Sequence, residues 1–449
     1  MKFIHTADWH LGNRMHDIER NEEFKSFLSW LKNVIVEEKA EGLIVSGDIF
    51  DTANPPTESR RQYIKFLASL LDTCCRNVIV VGGNHDSGAL LDSEKDILAA
   101  LDIHVVGSIS NIRLEDMVFE LKDDNDDASA ICVAIPFVRE NDLRDYFDEE
   151  VEDGCFSDQA YGALYNKALE IAKKMRGDRQ IPIIATGHLY AANLEGRFSA
   201  AEKESGSDDG RRILDVVGKL GSVHASVFSP EYDYVALGHI HYTTMVDKNP
   251  KVRYSGSPFI LGFDEAHLDR NVLSVNVEKG KKPEVNKIAV PRTVEYRRIS
   301  GDCETIRKEL EKYHLKEADG ITGKYMESHL ELYYKREDGI NINDELEGLI
   351  TELKEKEVYV ASRRVQDVGK IMNGENPYCD DMDELKNMAP EEIFKALLLS
   401  KSPIDLGEME EDMTDEEKDK KIREKQDEIV KKYLPTFMEI YSSVQNGDM

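Results

Sequence analysis

Short apolar runs alternate with longer stretches of mixed polarity along the first part of the chain. The runs at 2–7, 43–47 and 78–82 have the length and continuity of buried strands. Between the first two runs, apolar residues return every three or four positions over 24–35, as in an amphipathic helix. This alternation predicts an α/β fold in which helices flank a layered sheet.

The same alternation continues further along the chain. A second helix is predicted at 58–73, and further strands are predicted at 103–106, 131–135, 181–186 and 233–237. The acidic run at 123–127 is typical of a solvated hairpin tip. The polar stretch at 195–212 is rich in Gly and Ser and predicts a loop, which either covers a substrate or only lies on the surface.

The pattern changes around Pro291. A β-α-β-α-β unit follows, with strands at 293–299, 328–335 and 357–364 and helices at 302–314 and 341–355. Beyond Pro377 the strand patterns stop, and charged amphipathic helices are predicted at 390–401 and 415–441. These helices either pack on the body of the chain or dock on a partner. We therefore predict three domains, at 1–290, 291–376 and 377–449.

Polar side chains follow five of the predicted strands. Each patch stands directly behind an apolar run, so all five are expected at carboxyl ends of strands, where α/β sheets place their sites. Carboxylate, amide and imidazole groups together suit divalent metals, which commonly serve phosphate-ester chemistry. The patches contain Asp8 and His10, then Asp48, then Asn84, His85 and Asp86, then His188, and finally His239 and His241.

The other histidines lack this setting. They do not share the repeated arrangement of a strand end with a glycine beside it, so we expect ordinary structural roles for them. They are His5, His16, His104, His224, His267, His314 and His329.

The order of the patches, D-x-H, G-D, G-N-H-[DE], G-H and G-H-x-H, resembles the calcineurin-like metallophosphoesterase family. More narrowly, MKFIHTADWHLG, LIVSGDIFD, GGNHDS, DYVALGHIH and YSGSPFILGFDE are similar to the nuclease subunits of bacterial SMC-type exonucleases. The resemblance implies a two-sheet β-sandwich core flanked by helices, then a small α/β capping domain that recognises DNA, and C-terminal helices.

The resemblance also implies roles for individual residues. His85 would be the catalytic residue that protonates the leaving oxygen, and Asp51 stands where archaeal and eukaryotic nucleases carry a further histidine. Two divalent ions are implied, with Mn²⁺ favoured by the mixed ligand set. Asp8, His10, Asp48 and His241 would bind one ion, and Asp48, Asn84, His188 and His239 the other.

The net charge of −30 opposes direct binding to DNA, because phosphate contacts normally come from Lys and Arg. The acidic residues are concentrated near the carboxyl terminus, where residues 376–449 contain 20 acidic and 10 basic side chains. The resemblance implies an SMC-like ATPase that binds this tail, and a homodimer of the nuclease subunit within a heterotetramer. The implied activity is double-strand exonuclease and single-strand or hairpin endonuclease, in DNA repair and recombination.

Two alternatives remain open at this point. The acidic charge favours a small-molecule phosphodiesterase or phosphatase with the same core, and a binding or scaffold protein with a vestigial metal site is the other hypothesis. The chain has no apolar run of the ~18 residues that a membrane span needs. Its start lacks the apolar segment of a signal peptide, and its six cysteines lack metal-binding spacing. We therefore expect a cytoplasmic protein without membrane contact.

Overall fold

The computed structural model divides the chain into two compact units, Met1–Val365 and Gln366–Met449. It describes residues 1–110, 112–139, 156–191, 223–319, 324–335 and 342–366, with single positions at 142 and 431. Three predicted features lie outside the described residues: the loop at 195–212, the last ten residues of the capping domain, and the C-terminal helices apart from position 431.

The first sheet contains the amino-terminal strand of the chain. Its strands are β1 Lys2–Thr6, β2 Gly42–Ser46, β3 Asn77–Val81, β4 Ile103–Val106, β11 Asn271–Asn276 and β12 Glu284–Ala289. They lie in the order β12-β11-β1-β2-β3-β4, with β1 to β4 parallel and β11 antiparallel to both of its neighbours. Strands β1 to β4 coincide closely with four of the predicted apolar runs.

The second sheet also has six strands. They are β5 Val118–Lys122, β6 Ala128–Ile135, β7 Ile183–His188, β8 Tyr234–Gly238, β9 Thr244–Met245 and β10 Val252–Tyr254, in the order β5-β6-β7-β8-β10-β9. Apolar side chains of the two sheets share one buried cluster, which includes Phe3 and Ile44 from the first sheet and Ile131, Ile184 and Leu237 from the second. The predicted two-sheet sandwich is therefore confirmed.

Helices cover the outer faces of the sandwich. Their ranges are α1 Asn21–Glu38, α2 Thr57–Leu70, α3 Gly88–Asp92, α4 Lys95–Ala99 and α5 Phe156–Arg176. The apolar faces of α1 and α2 pack on the first sheet, where Phe24, Leu31 and Phe66 share a buried cluster with Val45 and Val80. Helix α5 packs on the second sheet. Burial of these stripes, rather than intrinsic propensity, supplies most of the stability of such helices.

A smaller sheet follows the sandwich within the first unit. It contains β13 Val294–Gly301, β14 Glu327–Lys335 and β15 Val358–Gln366 in that order, with β13 and β14 parallel. Helices α6 Cys303–Glu311 and α7 Ile342–Lys354 alternate with these strands. Asp302 begins α6 by accepting a hydrogen bond from the Thr305 backbone N–H at 2.8 Å. The predicted β-α-β-α-β order is confirmed over these residues.

The hairpin between β5 and β6 carries the predicted acidic tip. Asp123 closes the turn by accepting backbone hydrogen bonds at 2.8 Å from Asn125 and 3.1 Å from Asp127, and Asp126 takes a φ of 63°. Cys74 and the buried Cys75 are free thiols. Over the part of the chain that the structure describes, no helix combines the length and apolar character that a bilayer crossing demands.

Candidate metal centre

All eight predicted site residues lie at the carboxyl ends of strands β1, β2, β3, β7 and β8. His188 is the last residue of β7, and the other seven follow the strand ends within a few positions. The structure brings them together because parallel strands of both sheets end at the same edge of the sandwich. Five sequence patches separated by up to about 230 residues thus form one site.

The backbone around these side chains takes an unusual conformation. Asp8, His10, Asp48 and His239 have φ values of 54°, 44°, 50° and 105°, in the region that L-residues rarely adopt. Hydrogen bonds hold the first turns in place: Asp8 N–H donates to the Gly47 carbonyl at 2.9 Å and His10 N–H to that of Asp48 at 3.0 Å. Such strain persists where the surrounding structure enforces it, commonly at functional sites.

The first half-site is the group Asp8, His10, Asp48 and His241. The donor atoms of Asp8, His10 and His241 lie within 4.8 Å of one another. The Nε2 of His10 is 3.5 Å from Asp48 Oδ2, and its ring centroid is 5.3 Å from that of His241. The Asp8 carboxylate is fixed by the backbone N–H of His239, which donates to it at 2.9 Å.

The second half-site is the group Asp48, Asn84, His188 and His239. Asn84 Oδ1 is 3.0 Å from His188 Nε2 and 2.9 Å from His239 Nδ1, so three donor atoms converge. Asp48 Oδ2 is 3.4 Å from the same His188 nitrogen. One oxygen of Asp48 therefore faces ring nitrogens of both half-sites.

His85 lies beside the two half-sites on the solvent side and is exposed. Its backbone N–H donates to Asp48 Oδ1 at 2.9 Å, and its ring centroid is 4.8 Å from that of His10. Its Nδ1 is 2.9 Å from the backbone carbonyl of Asp51, so Nδ1 carries the donated proton. The ring is oriented by that bond.

Three acidic residues support the site, although the sequence patterns assign them no role in it. Asp51 Oδ1 is 3.3 Å from His10 Nδ1, and Glu265 Oε1 is 3.3 Å from His241 Nδ1. Asp86 is half-buried and accepts backbone hydrogen bonds at 2.8–3.0 Å from residues 49, 50 and 83. All three lie within the motifs quoted above, but their contacts depend on loop conformation, which no local pattern specifies.

The electrostatics of the site follow from two buried carboxylates. Burial raises the pKa of Asp8 above its usual value, against the opposing effect of His188. Burial also disfavours the charged form of Asp48, but His188 and His10 lower the pKa of that carboxyl far below its usual range. Although burial disfavours the imidazolium, Asp48 raises the pKa of His188 to about 9. Burial and His188 lower the pKa of His239 to about 3.

These residues fit divalent cations. Within the described parts of the chain, neither Asp8 nor Asp48 forms an ion pair with a Lys or Arg, and both carboxylates are buried. Buried anions need a positive partner. Both ring nitrogens of His10 are buried and make no well-aligned hydrogen bond. Carboxylate, amide and imidazole donors converge, which is the ligand set of first-row divalent metals.

The remaining described histidines are used differently. His5 is buried between the sheets, with Nδ1 3.1 Å from the Tyr234 hydroxyl and Nε2 3.2 Å from the Leu237 carbonyl. His104 stacks on Phe119 with ring centroids 4.4 Å apart. These two contacts agree with the structural roles predicted from sequence.

Comparison with known proteins identifies the family. The calcineurin-like phosphoesterase family matches residues 1–243. The SbcD component of the nuclease SbcCD from Escherichia coli K12 is 34% identical over 317 residues, which are 70% of this chain and 74% of that protein. The SbcD components from Rhodobacter capsulatus and Bacillus subtilis are 32% and 29% identical, covering 67% and 63% of this chain and 71% and 68% of theirs. The chain therefore belongs to the calcineurin-like phosphoesterase family, within the group of SbcD nuclease proteins.

Proposed function

We propose that this chain is the nuclease subunit of an SbcCD-type complex and hydrolyses DNA phosphodiesters with two divalent ions. The observation that supports this most is the position of Asp48, whose Oδ2 lies 3.5 Å from His10 Nε2 and 3.4 Å from His188 Nε2. A carboxylate between two sets of ligands can bridge two cations. The proposed activity includes double-strand exonuclease and single-strand or hairpin endonuclease cleavage.

The ligand roles are part of the proposal. Asp8, His10, Asp48 and His241 would hold the first ion and Asp48, Asn84, His188 and His239 the second, and Mn²⁺ suits this mixture of donors. When bound, two such ions polarise the phosphate ester and supply hydroxide at neutral pH.

His85 would act on the leaving group. Its Nδ1 donates to the Asp51 carbonyl at 2.9 Å, so Nε2 is the nitrogen that exchanges a proton with the substrate. Donation of that proton to the departing 3′-oxygen offsets the negative charge that develops as the phosphorus–oxygen bond breaks. General acid catalysis of this kind contributes about 10²–10⁴ in rate.

The partners follow from the family. We propose that an SbcC-type SMC-like ATPase binds the tail 377–449 and supplies the DNA grip that a chain of net charge −30 lacks. In this proposal 291–376 forms the capping domain, and two nuclease subunits assemble with two ATPase subunits. A small-molecule phosphodiesterase is not favoured, because the matched relatives are nuclease subunits and the match covers 74% and 71% of their length.

The experiment compares His85→Ala with His267→Ala in the purified complex with SbcC. His267 is an exposed histidine outside the two groups of proposed ligands and serves as the matched control. We expect His85→Ala to lose at least ~10²-fold in the rate of linear duplex cleavage while both ions stay bound. His267→Ala should cleave like the parent protein. Wild-type cleavage by His85→Ala would contradict the assigned role.

A further inference from the structure

A continuous series of polar contacts joins the small third sheet to the metal centre. The Tyr296 hydroxyl on β13 donates to Glu23 Oε2 at 2.9 Å. Arg20 donates to both oxygens of Glu23 at 2.7 and 3.0 Å, and to Asn13 Oδ1 at 2.8 Å. Asn13 Nδ2 then donates to Asp51 Oδ1 at 3.1 Å. We call these five residues the Arg20 relay.

The relay ends on residues of the site itself. Asp51 uses its backbone carbonyl to accept from His85 Nδ1 at 2.9 Å, and its carboxylate lies 3.3 Å from His10 Nδ1. Asp51 therefore holds the leaving-group histidine by a hydrogen bond, whereas its contact with His10 is not a well-aligned hydrogen bond. A displacement of Asp51 would act mainly on the His85 imidazole.

Each contact of the relay has a fixed direction. A guanidinium only donates and a carboxylate only accepts, so the Asn13 amide has one orientation that serves Arg20 and Asp51 together. The Arg20 side chain is completely buried and lies over the rings of Phe24, Phe259 and Tyr296 at 5.1–5.6 Å. Buried charge with aromatic faces on several sides has little freedom to rearrange.

The cap end of the relay is also firmly packed. Tyr296 is 3% exposed and shares an apolar cluster with Met15, Ile260 and Phe263 of the sandwich. On its other side it stacks on His329, which in turn stacks on Tyr359, so one aromatic row crosses all three strands of the small sheet. A shift of this sheet against the sandwich would pull on Glu23 through the tyrosine hydroxyl.

We infer that the Arg20 relay positions His85 for proton donation and makes this position depend on how the small sheet is seated. Asn13 and Tyr296 are then positioning residues rather than catalytic ones. The inference rests on the proposed role of His85 in the nuclease reaction. It also predicts a selectivity that general damage to the fold would not produce, because proton donation matters only for a poor leaving group.

The test measures two substrates with the SbcC complex and Mn²⁺. Linear duplex DNA releases an alkoxide, which needs a proton, whereas bis-p-nitrophenyl phosphate releases a stable phenolate that does not. We expect Asn13→Ala to lower kcat for DNA about tenfold, with KM and the activated-ester rate changing less than about twofold. Tyr296→Phe keeps the ring and removes only the hydroxyl, so we expect kcat to fall about threefold for DNA and to stay unchanged for the activated ester.

Two controls make the outcome decisive. Tyr313→Phe removes a hydroxyl that bonds Glu295 inside the cap, outside the relay, and should leave both rates unchanged. The rate of His85→Ala should fall more with DNA than with the activated ester. Adding Asn13→Ala to this variant should lower neither rate further. If His85→Ala slows both substrates equally, the proposed role of His85 fails. An equal loss on both substrates for Asn13→Ala, or a full additional loss on top of His85→Ala, overturns the relay.

Discussion

The two candidate half-sites contain similar side chains but support their imidazoles differently. In the first, His10 faces the carboxylate of Asp51 and His241 faces that of Glu265, each at 3.3 Å. In the second, His188 Nδ1 donates to the neutral Ser46 carbonyl at 2.8 Å. Carboxylate partners make an imidazole a stronger electron donor. We therefore expect the first half-site to hold its ion more tightly.

Depth does not distinguish the half-sites. Each combines buried residues with half-buried ones, which are His241 in the first and Asn84 and His239 in the second. The charge of the supporting groups is therefore the difference between them, and substitutions of those groups can separate the two.

The largest effect is expected at the residue that the half-sites share. Asp48→Asn removes the charge that faces both His10 and His188, and it places amide hydrogens where cations need an acceptor. We expect bound Mn²⁺ to fall from two ions to at most one and DNA cleavage to fall at least ~10³-fold. Metal analysis and a nuclease assay check this. Two ions retained at parental affinity would show that Asp48 does not bridge.

Gly47→Ala should damage the second half-site selectively. Gly47 has a φ of 90°, and a methyl group there would collide with the imidazole of His188. We expect a loss of about 2 kcal/mol in the free energy of unfolding and loss of the second ion first. Gly280→Ala is the matched control, because its φ is 71° and nothing lies within 4 Å of the added methyl. Gly280→Ala should lower the free energy of unfolding by roughly 1 kcal/mol and leave metal binding intact.

Glu265→Gln should weaken the first half-site alone. The substitution keeps the shape of the side chain but removes the charge that faces His241 at 3.3 Å. A loss of about 10–100-fold in affinity for one of the two ions is expected. Calorimetric titration with Mn²⁺ resolves the two binding events, with Glu278→Gln on the surface as control. Equal weakening of both events would remove the distinction between the half-sites.

A further effect concerns pH. Asp48 raises the pKa of His188 to about 9, so in the metal-free protein this histidine is protonated at neutral pH and binds a cation only after losing that proton. Affinity of the second half-site should therefore rise with pH up to about 9, with proton release on binding. Titrations in buffers of different ionisation enthalpy measure that release. Affinity that stays flat from pH 7 to 9 would contradict it.

Much of this arrangement could be predicted from sequence because the strands are apolar and short. The runs that became β1, β2 and β3 end one or two residues before the ligands, and parallel strands bring such ends together. Helix α5 and the antiparallel strands β11 and β12 were not predicted. Strand β12 has exposed polar residues between its half-buried ones, so its sequence contains no continuous apolar run.

The supporting contacts could not be predicted at all. Glu265 reaches His241 across 24 residues and Asp51 reaches His10 across 41, through turns whose backbone conformation decides the direction of each side chain. The left-handed φ values of Asp8, His10 and Asp48 are imposed by hydrogen bonds between loops. Local propensity contains no information about those bonds.

The pairing of β1 with β11 sets the order in which a growing chain can complete its core. Strand β1 spans residues 2–6, yet one of its two neighbours lies at 271–276, and the ligands themselves extend to His241. At ribosomal speeds of about 5–20 residues per second, roughly 15–50 s pass before that neighbour is made. The half-sites of a nascent chain therefore stay incomplete until these later segments have been made. Nuclease competence arises only when synthesis of the sandwich is complete.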